Sequence, residues 1–147
     1  MIRHRSAKKK YEHPDYLHHL ETIKTFIEEV NSLNDYVTWV VRDGIKTRYV
    51  LAGRYFKNKT NYYKKELAVK EFNAIYGDWD QYIKQYNQDY VLAQKEKLEG
   101  YFNDIEGKTL DEQQRTAIIT DENSNLIMAG AGSGKTLTIL GKVQYFA

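Results

Sequence analysis

From Pro14 onward, apolar side chains at Leu17, Leu20, Ile23, Phe26, Ile27, Val30 and Leu33 recur at steps of three and four. That period places them on one face of a helix over residues 15–33. The texture then changes: Tyr36 to Val41 is rich in β-branched and aromatic residues, Asp43-Gly44 follows, and a second such run passes through Tyr49, Val50 and Leu51. The arrangement suggests a small β-hairpin, with a helical continuation as the competing reading. A helical pattern resumes from Glu66 to Tyr76. Beyond Gly77, the residues Trp79, Ile83, Tyr86, Tyr90, Leu98, Tyr101, Phe102 and Ile105 line one face of a helix over 78–105, with Gly107 as its stop. Such a helix would span about 40 Å and act as an arm or spine. The tyrosines at 82, 86, 90 and 101 read as packing residues on it.

Past Gly107 the pattern shortens. Thr109 and Glu112 have capping-box spacing, which predicts a short helix through Thr120 with Ala117, Ile118 and Ile119 as its apolar side. Asp121 to Ser124 makes a turn, and Leu126-Ile127-Met128 reads as a short buried strand. A glycine-rich stretch and a last helix over Leu137 to Phe146 complete the chain. The implied fold is a mostly α region over residues 1–108 that includes the hairpin. The start of a P-loop α/β domain, incomplete, follows over 109–147.

The glycine-rich stretch carries the chemistry. Phosphate binding needs several backbone N–H groups converging on one anion, which a tight glycine turn permits, ahead of a helix whose positive end faces the charge. Gly130, Gly132 and Gly134 supply the turn. Lys135 would reach the β- and γ-phosphates, and the Thr136 hydroxyl would ligate Mg²⁺. The first position, glycine in the strict pattern, is Ala129. The plain alternative is a flexible turn carrying a surface lysine.

Composition narrows the field. With 147 residues and 41% hydrophobic content the chain can bury an ordinary core. No apolar run reaches the roughly 18 residues a membrane helix needs, and the basic start lacks a secretory apolar stretch, so a cytoplasmic address is expected. Cysteine is absent, which excludes disulfides, thiolate metal sites and cysteine nucleophiles. His18 and His19 are adjacent and so point to different helix faces, a poor arrangement for joint metal binding.

Net charge is +2, unevenly spread. Arg3, Arg5, Lys8, Lys9 and Lys10 make a basic tail that reads as a disordered solubilising end, with a specific nucleic-acid arm as the alternative. Residues 42–70 hold Arg54, Lys57, Lys59, Lys64 and Lys65 among other cations, against only Asp43 and Glu66, with Tyr49, Tyr55, Phe56, Tyr62 and Tyr63 interleaved. Cations for phosphates and rings for bases are the ingredients of single-stranded DNA binding. A solvated basic face whose tyrosines pack inward is the alternative.

The stretch Ala129-Gly130-Ala131-Gly132-Ser133-Gly134-Lys135-Thr136 resembles motif I of superfamily 1 DNA helicases of the UvrD/Rep type. Upstream, Leu110 to Ile118 is similar to the Q motif of the same family, with Gln114 at the diagnostic position. Tyr101 to Glu106 resembles the lead-in of the helicase IV-like branch. The resemblance implies a RecA-like fold, ATP and Mg²⁺ as cofactors, DNA as partner, and translocation with unwinding by the complete enzyme. Gln114 would read adenine, since a carboxamide presents a donor and an acceptor side by side.

Residues 137–147 contain no Asp, Glu or Arg. The family's magnesium-holding acids and arginine fingers lie downstream of motif I, so the chain reads as the N-terminal portion of such a helicase, truncated after motif I. The remainder of a split enzyme is a candidate partner. Hydrolysis by this portion alone is not expected, and Lys135 would be catalytic only in a complete motor. The other reading is a non-catalytic DNA- or protein-binding module with a vestigial loop.

Overall fold

A computed structural model describes residues 9–128 and 130–147. The basic residues Arg3, Arg5 and Lys8 and the loop residue Ala129 lie outside them. Contacts divide the chain into two units: one holds the residues up to 34 together with 42–82, the other 35–41 together with 83–147.

The first unit is built on α1, Pro14–Asn31, which packs against α3, Val50–Phe56, and α4, Leu67–Tyr76. Proline in the first turn of α1 costs no hydrogen bond there, and the His13 side chain accepts from the Asp15 N–H. The face buried by α1 is Tyr16, Leu20, Ile23, Phe26 and Val30, whereas Leu17 is exposed. Around Phe26 the rings of Tyr49, Phe72, Tyr76 and Trp79 meet mostly edge to face, an arrangement aromatic quadrupoles favour. A second cluster joins Tyr16, Phe56 and Tyr63. The polar ends of these rings are satisfied: Tyr16 donates to Glu66, Tyr49 to Glu29, and Trp79 Nε1 to the Arg42 carbonyl.

The predicted hairpin is absent. Residues 39–56 form two helices instead, α2 (Trp39–Arg48) and α3, separated by Tyr49. The cause is a period that the β-branched runs obscured. Ile45, Tyr49, Ala52 and Phe56 are all buried and stand four, three and four residues apart, which a helix aligns and a strand does not. Gly44 occupies open space on α2, where its cost to a helix is about 1 kcal/mol and is outweighed by that burial. Lys10 is likewise not a solvated tail residue. Its ammonium donates to the Tyr62 carbonyl and lies over the rings of Tyr11, Tyr62 and Tyr63.

In the second unit, the long helix is shorter than its apolar stripe. α5, Trp79–Lys97, begins within the first unit's residues and runs on through the second's. Leu98 (φ −106°, ψ 18°) interrupts it before the short α6, Glu99–Asn103. The spine is therefore nearer 30 Å than 40 Å. Asp104 to Lys108 then closes a tight turn in which Glu106 and Gly107 both have positive φ, and Ile105 and Lys108 exchange backbone hydrogen bonds. Two further helices, α7, Glu112–Ile119, and α8, Lys135–Tyr145, pack together over Phe102, Ile105, Leu110, Ile118 and Ile119.

No strand forms among the described residues; the only β contact is the Ile105–Lys108 bridge. Leu126 to Met128, expected as a buried strand, has no ladder partner, and a lone extended segment cannot pair its own backbone groups. The α/β character expected for residues 109–147 is therefore not realised in this structure.

Candidate functional site

The loop 130–134 is shaped by its glycines. Gly132 (φ 77°) and Gly134 (φ 81°) occupy left-handed backbone that a side chain resists. Ser133 closes the turn, its N–H and hydroxyl both donating to the Gly130 carbonyl at 3.3 and 2.7 Å. Gly134 is the N-cap of α8, and no side chain caps the helix there. The first-turn N–H groups, with the positive end of an 11-residue helix behind them, therefore lack a side-chain acceptor. Lys135 and Thr136 follow on this end, both exposed, as are Gly130, Ala131, Gly132 and Ser133.

Gln114 reaches this loop. Its Nε2 donates to the Ser133 carbonyl at 3.1 Å, so the helix α7 and the glycine turn are tied through one carboxamide. A Cβ at Gly134 would stand 2.5 Å from that nitrogen, so a side chain there would displace the Gln114 carboxamide from Ser133 as well as strain the backbone.

The same side chain completes the cap of α7. Asp111, not Thr109, is the N-cap: its carboxylate accepts from the Gln114 N–H, and Gln114 Oε1 accepts from the Asp111 N–H, each at 2.9 Å. The predicted box between Thr109 and Glu112 does not form. The Thr109 hydroxyl donates to the Asn103 carbonyl, and Glu112 pairs with Lys95 at 2.9 Å, which holds its carboxyl below the usual range.

Two residues that the sequence reading passed over hold the platform. Lys142 donates to the carbonyls of Ala117, Ile118 and Thr120, closing the C-terminal end of α7, and burial pushes its pKa down. Arg115 donates to the Leu110 carbonyl and to Asn103 Oδ1 while lying over the Phe102 ring. A lysine in the last turn of its own helix gives no sequence signal that it will reach the end of a neighbouring one.

The basic residues of the first unit are divided. Arg54, Lys57, Lys64 and Lys65 are exposed, and none of the four forms an ion pair among the described residues. Lys59 lies over the Tyr55 ring at 4.1 Å. The interleaved rings Tyr49, Phe56 and Tyr63 are buried in the core, whereas Tyr62 is exposed. No group of three or more His, Asp or Glu side chains that could hold a metal occurs among the described residues. No helix there is long and apolar enough to cross a membrane.

Comparison with known proteins points to the same segment. Residues 110–146 match the family described as the UvrD/REP helicase N-terminal domain. DNA helicase IV of Escherichia coli (strain K12) is 36% identical over 61 residues, covering 42% of this chain and 9% of that protein. No solved structure matches. Over residues 110–146 the chain is thus similar to UvrD-like helicases, and its match to DNA helicase IV spans a small part of that relative's length.

Proposed function

We propose that residues 109–147 are the ATP-binding element of a UvrD/Rep-like DNA helicase and that residues 1–108 are its accessory region. The observation that carries this reading is the helix end at Gly134: left-handed, without a side-chain cap, followed at once by exposed Lys135 and Thr136 and touched by Gln114. Backbone N–H groups of the turn and the start of α8 receive the phosphates, Lys135 neutralises the outer ones, and Thr136 holds the Mg²⁺. Magnesium supplies charge neutralisation at the phosphates when bound. Gln114 spends one of its two amide hydrogens on Ser133 and one of its two carbonyl lone pairs on Asp111. One donor and one acceptor remain, the pair that adenine requires.

Calorimetric titration with ATP and Mg²⁺ tests this. Binding is expected to weaken by about tenfold or more in Lys135→Ala. Gln114→Glu keeps an acceptor for the Asp111 N–H but cannot donate to the adenine ring, so it should reduce the preference for ATP over GTP. A titration without heat at any nucleotide concentration would refute the assignment.

The second reading, a DNA-contacting module, is favoured by the unpaired cations of the first unit. Arg54, Lys57, Lys59, Lys64 and Lys65 contact single-stranded DNA through its phosphates, the binding weakening steeply with salt. Affinity for oligothymidylate that ignores salt would count against it.

A further inference from the structure

A cleft of about 530 Å³ opens in the first unit between the end of α3 and the face of α4, a volume within the range of small-ligand sites. Its rim carries Arg54 and Lys57, three residues apart, and no acidic side chain lines it. Elsewhere in this unit Arg48 is satisfied by Glu29, and Lys46 and Arg42 by Asp80. Two adjacent cations left without counter-charge over a concave surface make an anion the matching ligand.

The walls specify more than charge. Asn73 commits both amide hydrogens inside the chain, to the Phe56 carbonyl at 3.0 Å and to Thr60 Oγ1 at 2.9 Å, so its carboxamide oxygen and the Thr60 hydroxyl hydrogen remain for a ligand. Tyr76 supplies an apolar wall. Its ring is held by stacking on Phe72 and by its hydroxyl donating to the Lys46 carbonyl at 2.8 Å. Gly53 lies so close to this ring that a Cβ there would be 2.3 Å from it. The cleft thus combines paired cations, a fixed aromatic wall, one acceptor and one donor, all on well-anchored residues.

We infer that this cleft binds one nucleotide unit, with Arg54 and Lys57 on its phosphate and its neutral part along Tyr76 and Asn73. The inference deepens the proposed DNA contact by giving it a defined site, separate from the glycine loop. Two sources offer the same chemistry: the phosphorylated end of a DNA strand and a free mononucleotide.

The test uses the full chain with thymidine 5′-monophosphate, read by NMR at the Asn73 side-chain amide and the Tyr76 ring. Thymidine without phosphate should bind about tenfold more weakly or worse, and Arg54→Gln with Lys57→Gln should cost a similar factor. Lys84→Gln with Lys97→Gln, exposed cations outside the proposed DNA contact, should change it by less than about twofold. Both pairs are exposed and unpaired, so neither double variant should unfold the chain; a melting curve checks this. A 5′-phosphorylated oligothymidylate that competes with the monophosphate identifies a strand end, and failure to compete identifies a free nucleotide. Unmoved Asn73 and Tyr76 signals, or equal loss in both double variants, would overturn the cleft. The wider DNA reading fails separately, through loss of salt-dependent oligonucleotide binding.

Discussion

The two units bury their apolar residues differently. The first closes an aromatic core around Phe26 and Phe56 and satisfies the hydroxyl groups of its buried tyrosines. The second packs one face of α8, through Leu137, Leu140, Gly141 and Tyr145, against its core, but leaves Ile139 and Val143 on that helix and Phe146 just past its end exposed. Leu126 and Met128 are 85% and 86% exposed. A helix apolar around its circumference suits burial on both sides, and an apolar extended segment suits a sheet. Each unit has a core and each exposes some aliphatic side chains, Leu51 and Leu67 in the first, but only the second adds an exposed apolar extended segment.

The sharpest way to break this contrast is alkaline pH. Burial raises the pKa of Tyr16, with Glu66 adding to it, and likewise raises Tyr63 and Tyr49 in the first unit, as it does Tyr36, Tyr101 and Tyr145 in the second. A raised folded-state pKa means that the stabilisation is complete below the ordinary tyrosine value near 10 and is lost as pH climbs from there through the folded value. Each such phenol costs about 1.4 kcal/mol per pH unit within that window. Phenolate absorbance and helical circular dichroism should change together in one steep step, with the emission of Trp79, buried in the first unit, moving to the red. Gradual phenolate formation at unchanged helix content would mean that the core is looser than described.

Two glycines sharpen the same contrast at smaller cost. At Gly53 a Cβ would meet Tyr76, a ring pinned by stacking and by the Lys46 carbonyl. At Gly141 it would meet the terminal methyls of Ile118 and Ile105 at 2.7 and 3.0 Å, which can rotate away. Alanine gains about 1 kcal/mol of helix propensity at either site, against an overpacking penalty of about 1–3 kcal/mol where the neighbour cannot yield. Gly53→Ala should lose up to about 2 kcal/mol net, and Gly141→Ala should stay within about 0.5 kcal/mol of the parent. Denaturant midpoints in the reverse order would contradict this account of what is rigid.

What could be read in advance follows the range of the interactions. The turn at Gly132 and Gly134 and the helix behind it were legible because the motif packs its requirements into consecutive residues. Helix α1 was legible from its period, although Tyr16 replaced Leu17 on the buried face. The segment 36–51 misled because composition pointed to strands, while the deciding spacing of Ile45, Tyr49, Ala52 and Phe56 begins only after the supposed turn at Asp43-Gly44 and continues past the end of the second apolar run. The resemblance assigns Gln114 to adenine; its bond to Asp111 is a local cap, whereas its bond to Ser133 depends on a loop 19 residues away. The cleft was not legible, since the approach of Gly53 to Tyr76 exists only after α3 and α4 pack.

Lys142 offers a test confined to the second unit. Lys142→Met removes the donor to three carbonyls at the end of α7 but also removes a charge that burial disfavours. The net loss should be about 1 kcal/mol, concentrated as faster amide exchange in the last turn of α7. Exchange that accelerates equally across both units would show that the lysine is not a local cap.

The smallest effect is expected at acid pH. In the first unit Asp80 accepts from Lys46 at 2.9 Å and lies 3.7 Å from Arg42, and the Lys46 bond holds its pKa below the ordinary carboxylate value. A depressed folded-state pKa gives stabilisation that is complete above the unfolded value near 4 and is lost as pH falls through the folded one. Asp80 is largely exposed, so water and salt screen the pair and its contribution should stay below about 0.5 kcal/mol. Asp80→Asn should therefore flatten the acid limb of the stability curve slightly at low salt and leave it unchanged at high salt. A larger, salt-insensitive loss would place Asp80 in the scaffold of the first unit, on a par with its buried rings, and the contrast between an apolar core and a loosely paired surface would have to be redrawn.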